Sequence, residues 1–193
     1  MTLDEIAATL KERTDKGSAD INDHNYLVCY EKYVSPIRDN VKCLLELGVD
    51  WGASIDLWGQ YFPNARVHGV ELFYHKTKFS RDKFNNRFSF YNGDYANPVF
   101  LSSMMSIIGN DIDIIVDDGA HDISTQVIAL KALAPYLSND GYYFLEDLMV
   151  NNTEHIVKAA EESGLVIIED YCDVTFKPLE YNVHHLIVLR KKT

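Results

Sequence analysis

The stretch Lys42-Cys43-Leu44-Leu45-Glu46-Leu47-Gly48-Val49-Asp50-Trp51-Gly52-Ala53-Ser54 decides the fold. A short apolar run ends on an acid, two glycines permit a tight turn, and a helical pattern follows, which is how a parallel strand hands over to its crossover helix. The same texture repeats down the chain. Strands are expected at Lys42 to Leu47, Arg66 to Glu71, Phe88 to Asn92, Asp113 to Asp117, Tyr142 to Glu146, Val166 to Tyr171 and His184 to Arg190. Helices are expected between them at Ala53 to Tyr61, Lys76 to Phe84, Pro98 to Ile107, Ser124 to Leu137 and Asn152 to Ser163. This pattern predicts an α/β, Rossmann-like fold with a seven-stranded, mostly parallel sheet and helices on both faces. No helix separates the last two strands, only Cys172 to Val183 with Pro178, so they should pair antiparallel at an edge, with His184 and His185 opening an edge strand.

Upstream of Val41 the chain reads as helical. Thr2 and Glu5 form a capping box for a helix carrying Leu3, Ile6, Ala7 and Leu10. A turn at Thr14-Asp15-Lys16-Gly17-Ser18 leads to a second helix from His24 to Val34, stopping before Pro36. Residues 1–40 thus form an N-terminal helical segment, expected to close over a site in one 193-residue domain.

Composition narrows the partners. The 18 basic against 29 acidic residues give a formal charge of -11, which repels phosphate backbones and anionic lipid surfaces, so neither nucleic acid nor membrane is an expected partner. No apolar run reaches the roughly 18 residues of a membrane span, and the start Met1-Thr2-Leu3-Asp4-Glu5 lacks the basic residues of a secretory signal. Three widely spaced cysteines, Cys29, Cys43 and Cys172, read as free thiols in a reducing, cytoplasmic compartment.

Ligands of open α/β sheets sit beyond the carboxyl ends of the strands, and here those ends are acidic. Glu46-x-Gly48-x-x-x-Gly52 is not the Gly-x-Gly-x-x-Gly of dinucleotide enzymes, and its acid suits a cationic ligand better than a pyrophosphate. No Tyr-x-x-x-Lys is present to support a nicotinamide-dependent oxidoreductase. Glu71 is placed to accept from ribose hydroxyls, and Asp94 to receive an exocyclic amine. Glycine turn, ribose acid and amine-accepting acid in this order resemble the S-adenosylmethionine site of class I methyltransferases.

Thr14-Asp15-Lys16-Gly17 ahead of a Tyr-rich helix, Glu46-Leu47-Gly48-Val49, Tyr61-Phe62-Pro63-Asn64-Ala65, Asp117-Asp118-Gly119-Ala120-His121 and Leu145-Glu146-Asp147-Leu148 together resemble the metal-dependent sugar O-methyltransferases that modify macrolide and tetracenomycin deoxysugars. The resemblance runs from Thr14 to Leu148. It implies magnesium held by Asp118, Glu146 and Asp147, with His121 as the base. Thr14, Glu46, Gly48, Ser54, Glu71, Asp94 and Asp117 fall on the cofactor side, Asp117 towards the methionyl part. Two departures stand out: Ala120 where the family usually has Ser, and Asp50-Trp51 in place of small residues.

These residue types suit methyl transfer to an alcohol, which needs its proton removed. Magnesium favours oxygen ligands and keeps positions open for vicinal hydroxyls. Neighbouring strands lie roughly 4.8 Å apart, so Asp118 and Glu146-Asp147 can converge from 28 positions away in sequence. His121, three residues after Asp118, can reach the same hydroxyl. The expected acceptor is a sugar or glycoside, a deoxysugar such as rhamnose. A catechol-type acceptor would use the same metal logic in an aromatic-walled cavity, and a non-catalytic cofactor-binding module beside glycosyltransferases is the rival from another class. A homo-oligomer or a fusion to glycosyltransferase domains fits the reading equally.

Plainer roles stand beside these. A strand-end acid can be a helix cap, and Thr14 and Lys16 belong either to a lid over the cofactor or to a simple turn. Tyr26, Tyr30 and Tyr33 at helical spacing read as packing, and His24, His155, His184 and His185 as structural.

Overall fold

A computed structural model describes residues 1–17, 23–73, 84, 86–173 and 184–192. The helix expected at Lys76 to Phe84 and the connection from Cys172 to Val183 lie almost wholly outside the described residues. Seven strands, β1 (Cys43–Leu47), β2 (Arg66–Glu71), β3 (Phe88–Asn92), β4 (Ile112–Asp117), β5 (Leu137–Met149), β6 (Leu165–Tyr171) and β7 (His184–Lys191), form one sheet in the order β3-β2-β1-β4-β5-β7-β6. All pairs are parallel except those of β7, which runs antiparallel to both neighbours.

The strand interiors alternate between two cores, as a sheet covered on both faces requires. Leu44, Val116, Phe144 and Val188 face one core, with α1 (Leu3–Ala7), α2 (Tyr26–Val34) and α3 (Ala53–Tyr61). Leu45, Ile115, Leu145 and Leu189 face the other, with α4 (Pro98–Ile108), α5 (Ile123–Leu133) and α6 (Thr153–Glu162). Local signals set several helix starts: the Thr2–Glu5 capping box forms, Asn97 accepts from Val99 and Phe100 N–H, and Asp122 accepts from Thr125 N–H. None of the described helices is long and apolar enough to cross a membrane. The three cysteines are free thiols, Cys29 buried and the other two half-buried.

Two expectations are corrected. β7 is interior, seated between β5 and β6, so His184 and His185 do not open an edge strand; β6 is the edge. The reason is burial on both faces: Leu186-Ile187-Val188-Leu189 is fully buried, whereas β6 carries Glu169, Asp170 and a 40% exposed Val166. β5 begins at Leu137, five residues before the expected Tyr142, because Leu137 pairs with Ile112 before the register jumps to Tyr142 opposite Ile114. Bare Gly141 makes this fit, since a Cβ there would lie 2.9 Å from the Asp113 carbonyl oxygen.

A second irregularity positions the site. Between Leu145 and Leu148 the register of β5 against β7 slips by one residue, and Asp147 takes a left-handed backbone with φ of 55°. This bulge carries Glu146 and Asp147 and changes their aim relative to regular alternation. The β1 end is equally constrained. Gly48, with φ of 81°, lies against the Asp118 backbone so closely that a Cβ would stand 2.0 Å from its carbonyl oxygen.

Gly48→Ala should therefore cost far more stability than Gly109→Ala, where φ is also positive but nothing lies within 4 Å. Urea unfolding should show about 1–3 kcal/mol lost at Gly109, the cost of backbone strain, and a clearly larger loss at Gly48. Equal losses would contradict the close approach of the two loops.

Candidate active site

The register of β1, β4 and β5 explains how acids from three strands meet. Glu46 pairs with Val116, and Val116 with Phe144, so Asp118 and Glu146 lie two residues further along neighbouring strands, facing the side of α2 and α3. Into this group of carboxylates reaches Lys16, 1% exposed. Its ammonium donates to Asp118, approaches both Glu146 oxygens at 2.9 Å and stands 3.7 Å from Glu46 Oε1. Burial alone would lower the ammonium, but Asp118, Glu146 and Glu46 outweigh it and hold its pKa well above the usual value. Glu146 is pushed up by burial and by Asp118.

The helical segment supplies further partners. Tyr30 OH donates to Glu146 Oε1 at 2.5 Å and Tyr26 OH to Asp147 Oδ1 at 2.9 Å; four residues apart, both hydroxyls leave the same face of α2. The Tyr30 ring stacks on Phe144 at 4.2 Å. The loop bearing Lys16 is tied to the start of α2 by backbone bonds from His24 to Asp15, Asn25 to Gly17 and Leu27 to Lys16. His24 Nδ1 consequently lies 3.5 Å from Asp147 Oδ1.

Asp118, His121 and Asp147 form a second group, with one candidate ligand atom from each lying within 4.8 Å of the others. His121 Nδ1 is 3.3 Å from Asp147 Oδ2, and its Nε2 is 3.9 Å from Asp118 Oδ1. Both His121 and Asp147 hold positive φ, of 54° and 55°. Left-handed backbone at two non-glycine residues of one cluster is strain that surrounding structure must maintain, a frequent property of functional sites. The two carboxylates are oxygen donors that fit a hard divalent cation, and the imidazole beside them has a second ring nitrogen that can accept a proton. The cap of α5 is Asp122, so His121 does not serve as its cap.

A cavity of about 650 Å³ opens beside this group, at the carboxyl ends of β1, β2, β3 and β4. Of the residues expected on the cofactor side, Thr14, Gly48, Ser54, Glu71 and Asp94 line it, together with Asp118 and His121. Glu71 is fixed by four backbone N–H donors: those of Val49 and Asp50 bond one oxygen at 3.1 and 3.0 Å, and those of Leu72 and Phe73 the other at 2.8 and 3.1 Å. Burial raises its pKa, but the four donors outweigh burial and leave it below the ordinary carboxylate value. Asp94 Oδ1 accepts from Ala96 N–H at 2.8 Å and the side chain stays exposed.

Glu46 and Asp117 stand behind the cavity wall. Glu46 is fully buried, accepts from Ser54 Oγ at 2.8 Å, and is pushed up to about 7 by burial. Asp117, on the opposite face of the sheet, accepts from Tyr143 OH at 3.0 Å and is likewise pushed up to about 7 by burial. Glu146 faces Lys16 and Tyr30, while Asp118 and Asp147 meet His121. Sequence reading missed the polar roles of Tyr26, Tyr30 and His24, and left Lys16 open. The available signal was that a tyrosine hydroxyl buried in a helix must find a partner.

No protein-family model matches the chain. Among curated proteins it is 31% identical, over 138 residues, to an 8-demethyl-8-alpha-L-rhamnosyl tetracenomycin-C 2'-O-methyltransferase of Streptomyces olivaceus, covering 66% of this chain and 34% of that protein. It is 30% identical, over 125 residues, to an L-olivosyl-oleandolide 3-O-methyltransferase of Streptomyces antibioticus, covering 61% of this chain and 31% of that protein. The chain thus spans about a third of the length of the curated relatives it matches. Among solved structures, MycE methyltransferase from the mycinamycin pathway, in complex with Mg, SAH and mycinamycin VI, superposes with a TM-score of 0.73 over 99% of this chain and 55% of that one, at 18% identity. The resemblance to sugar O-methyltransferases is borne out, and the fold is that of the class I methyltransferases.

Asp117 gives a pH prediction. Its folded-state pKa near 7 lies above the unfolded value of about 3.9, so the folded state holds an extra proton in between. Its stabilising contribution is complete below pH of about 4 and is lost as pH rises through about 7. In EDTA, Asp117→Asn should gain stability relative to the unsubstituted protein from pH 4.5 to 8, by an amount on the order of a few kcal/mol. Parallel stability curves would contradict the assignment.

Proposed function

We propose that this chain is an S-adenosylmethionine- and magnesium-dependent O-methyltransferase domain acting on a sugar hydroxyl of a glycoside, a deoxysugar such as rhamnose. The observation that carries the reading is the Asp118-His121-Asp147 cluster, whose ligand atoms lie within 4.8 Å of one another, at the wall of a cavity that also holds Glu71 and Asp94. The named acceptors of the relatives support the sugar.

The residues divide the work. Glu71, immobilised by backbone N–H groups, accepts from the ribose hydroxyls, and Asp94 accepts from the adenine amine. Gly48 keeps the β1 loop against the Asp118 backbone, holding these groups beside the acids. When bound, S-adenosylmethionine supplies the methyl group. Asp118 and Asp147 would hold the magnesium; Glu146, the third ligand expected from the sequence, is engaged by Lys16 and Tyr30 and lies outside that cluster. That ion would supply positive charge that lowers the pKa of the acceptor hydroxyl. His121, 40% exposed and oriented by the carboxylate of Asp147, takes the hydroxyl proton.

The test is methyl transfer from labelled cofactor to a panel of glycosides, with EDTA and with magnesium restored. Activity should vanish in EDTA, and Asp118→Asn and Asp147→Asn should abolish turnover while S-adenosylhomocysteine still binds. His121→Ala should retain that binding, lose about 10²- to 10⁴-fold in turnover, and recover part of it as pH rises. Turnover that is indifferent to EDTA would refute the metal, and failure of the cofactor and its product to raise the melting temperature would refute the class.

A further inference from the structure

The Lys16 ammonium sits between two of the three expected metal ligands. Its Nζ stands 2.9 Å from each oxygen of Glu146 and donates to Oδ2 of Asp118, so it straddles one carboxylate and bridges to the next. A divalent cation holding a bidentate carboxylate takes the same position. Asp118 is shared: Oδ2 goes to Lys16, while Oδ1 faces His121 Nε2 at 3.9 Å. A cation on Asp118 and Asp147 therefore stands close to a positive charge that repels it.

The side chain has a second seat within reach. Glu46 Oε1, on β1, lies 3.7 Å from Nζ, and the flexible four-carbon stem of a lysine serves more than one acceptor from one backbone position. The backbone need not follow, since Lys16 N–H donates to Thr14 Oγ1 at 3.3 Å and the Lys16 carbonyl accepts from Leu27 N–H at 3.0 Å. Tyr30 OH donates to Glu146 Oε1, so Oε2 is the oxygen that withdrawal of the ammonium releases to a ligand.

We propose that the Lys16 ammonium and a divalent cation compete for Asp118 and Glu146, the lysine moving onto Glu46 when the cation binds. The inference rests on the metal reading above and adds to it what keeps Glu146 outside the Asp118-His121-Asp147 cluster. The side chain that balances these acids thereby sets their affinity for the ion.

The experiment uses manganese(II) alone as the probe, titrated into the cofactor-free protein and followed by electron paramagnetic resonance of the free ion. Lys16→Met should bind manganese tighter by about tenfold or more, the scale of a monovalent-to-divalent repulsion removed at about 5 Å even in a water-like dielectric. Unchanged or weaker binding would overturn the competition, because a lysine that only supports the fold takes metal affinity down with it when it is lost. The unsubstituted protein carries the test if Lys16→Met does not fold. In its crystals grown with manganese, anomalous scattering should place the ion against Glu146, with Nζ on Glu46. An ion on Asp118 and Asp147 with Lys16 still on Glu146 would overturn the proposal and leave the metal reading standing. If neither protein binds manganese at millimolar concentration, the metal reading itself fails and the competition with it.

Discussion

One buried ammonium among carboxylates is the interaction on which this architecture depends. Parallel strands project their carboxyl ends to one side, and here three of them place Glu46, Asp118 and Glu146 on one face within reach of Lys16. Collecting like charges in a region of low dielectric is unfavourable, and removing the partner of a buried ion pair costs about 3–5 kcal/mol. Lys16 offsets that repulsion from outside the sheet. The ammonium thereby ties the N-terminal segment to the strand ends, and the backbone bonds that Asp15, Lys16 and Gly17 accept from His24, Leu27 and Asn25 bring His24, Tyr26 and Tyr30 with it. One lysine does not balance all of these acids, and burial together with Asp118 holds Glu46 and Glu146 above the ordinary carboxylate value.

The sheet prepares this site through irregularity. Regular alternation would send Glu146 and Asp147 to opposite faces; the bulge in β5 and the left-handed backbone at Asp147 let both serve one end of the sheet. Glu146 then turns to Lys16 and Tyr30, and Asp147 to Tyr26, His24 and His121. Across the sheet, Gly48 permits the contact that brings the β1 loop, and with it the cavity, against the same acids. Strain and charge are concentrated together, which is the arrangement expected where positions must be held for chemistry rather than for stability.

The sheet was legible because its strands are short apolar runs separated by helical periodicity, and β2 and β3 begin and end where those runs do. Strand order within the last three was not read, although Leu186-Ile187-Val188-Leu189 already marks a strand buried on both faces and Glu169-Asp170 an edge. Ser138-Asn139-Asp140-Gly141 reads as a turn, and only pairing with β4 draws it into β5. Strand-end acids were visible as a class, but which way each points depends on register: Asp117 turns to Tyr143 and Asp118 to Lys16. The roles of Tyr26, Tyr30 and His24 depend on contacts more than 100 residues away in sequence, which local spacing does not encode.

Lys16 and Glu146 are energetically coupled across the junction of the N-terminal segment and the sheet. A double-mutant cycle of Lys16→Met and Glu146→Gln, followed by urea unfolding in EDTA, measures this coupling directly. Each single substitution should be strongly destabilising, and the double variant should be less destabilised than the sum by about 1.5 kcal/mol or more, because it leaves neither of these two charges facing a missing partner. Additive losses, within about 0.5 kcal/mol, would show that the two side chains do not depend on each other and would contradict the account.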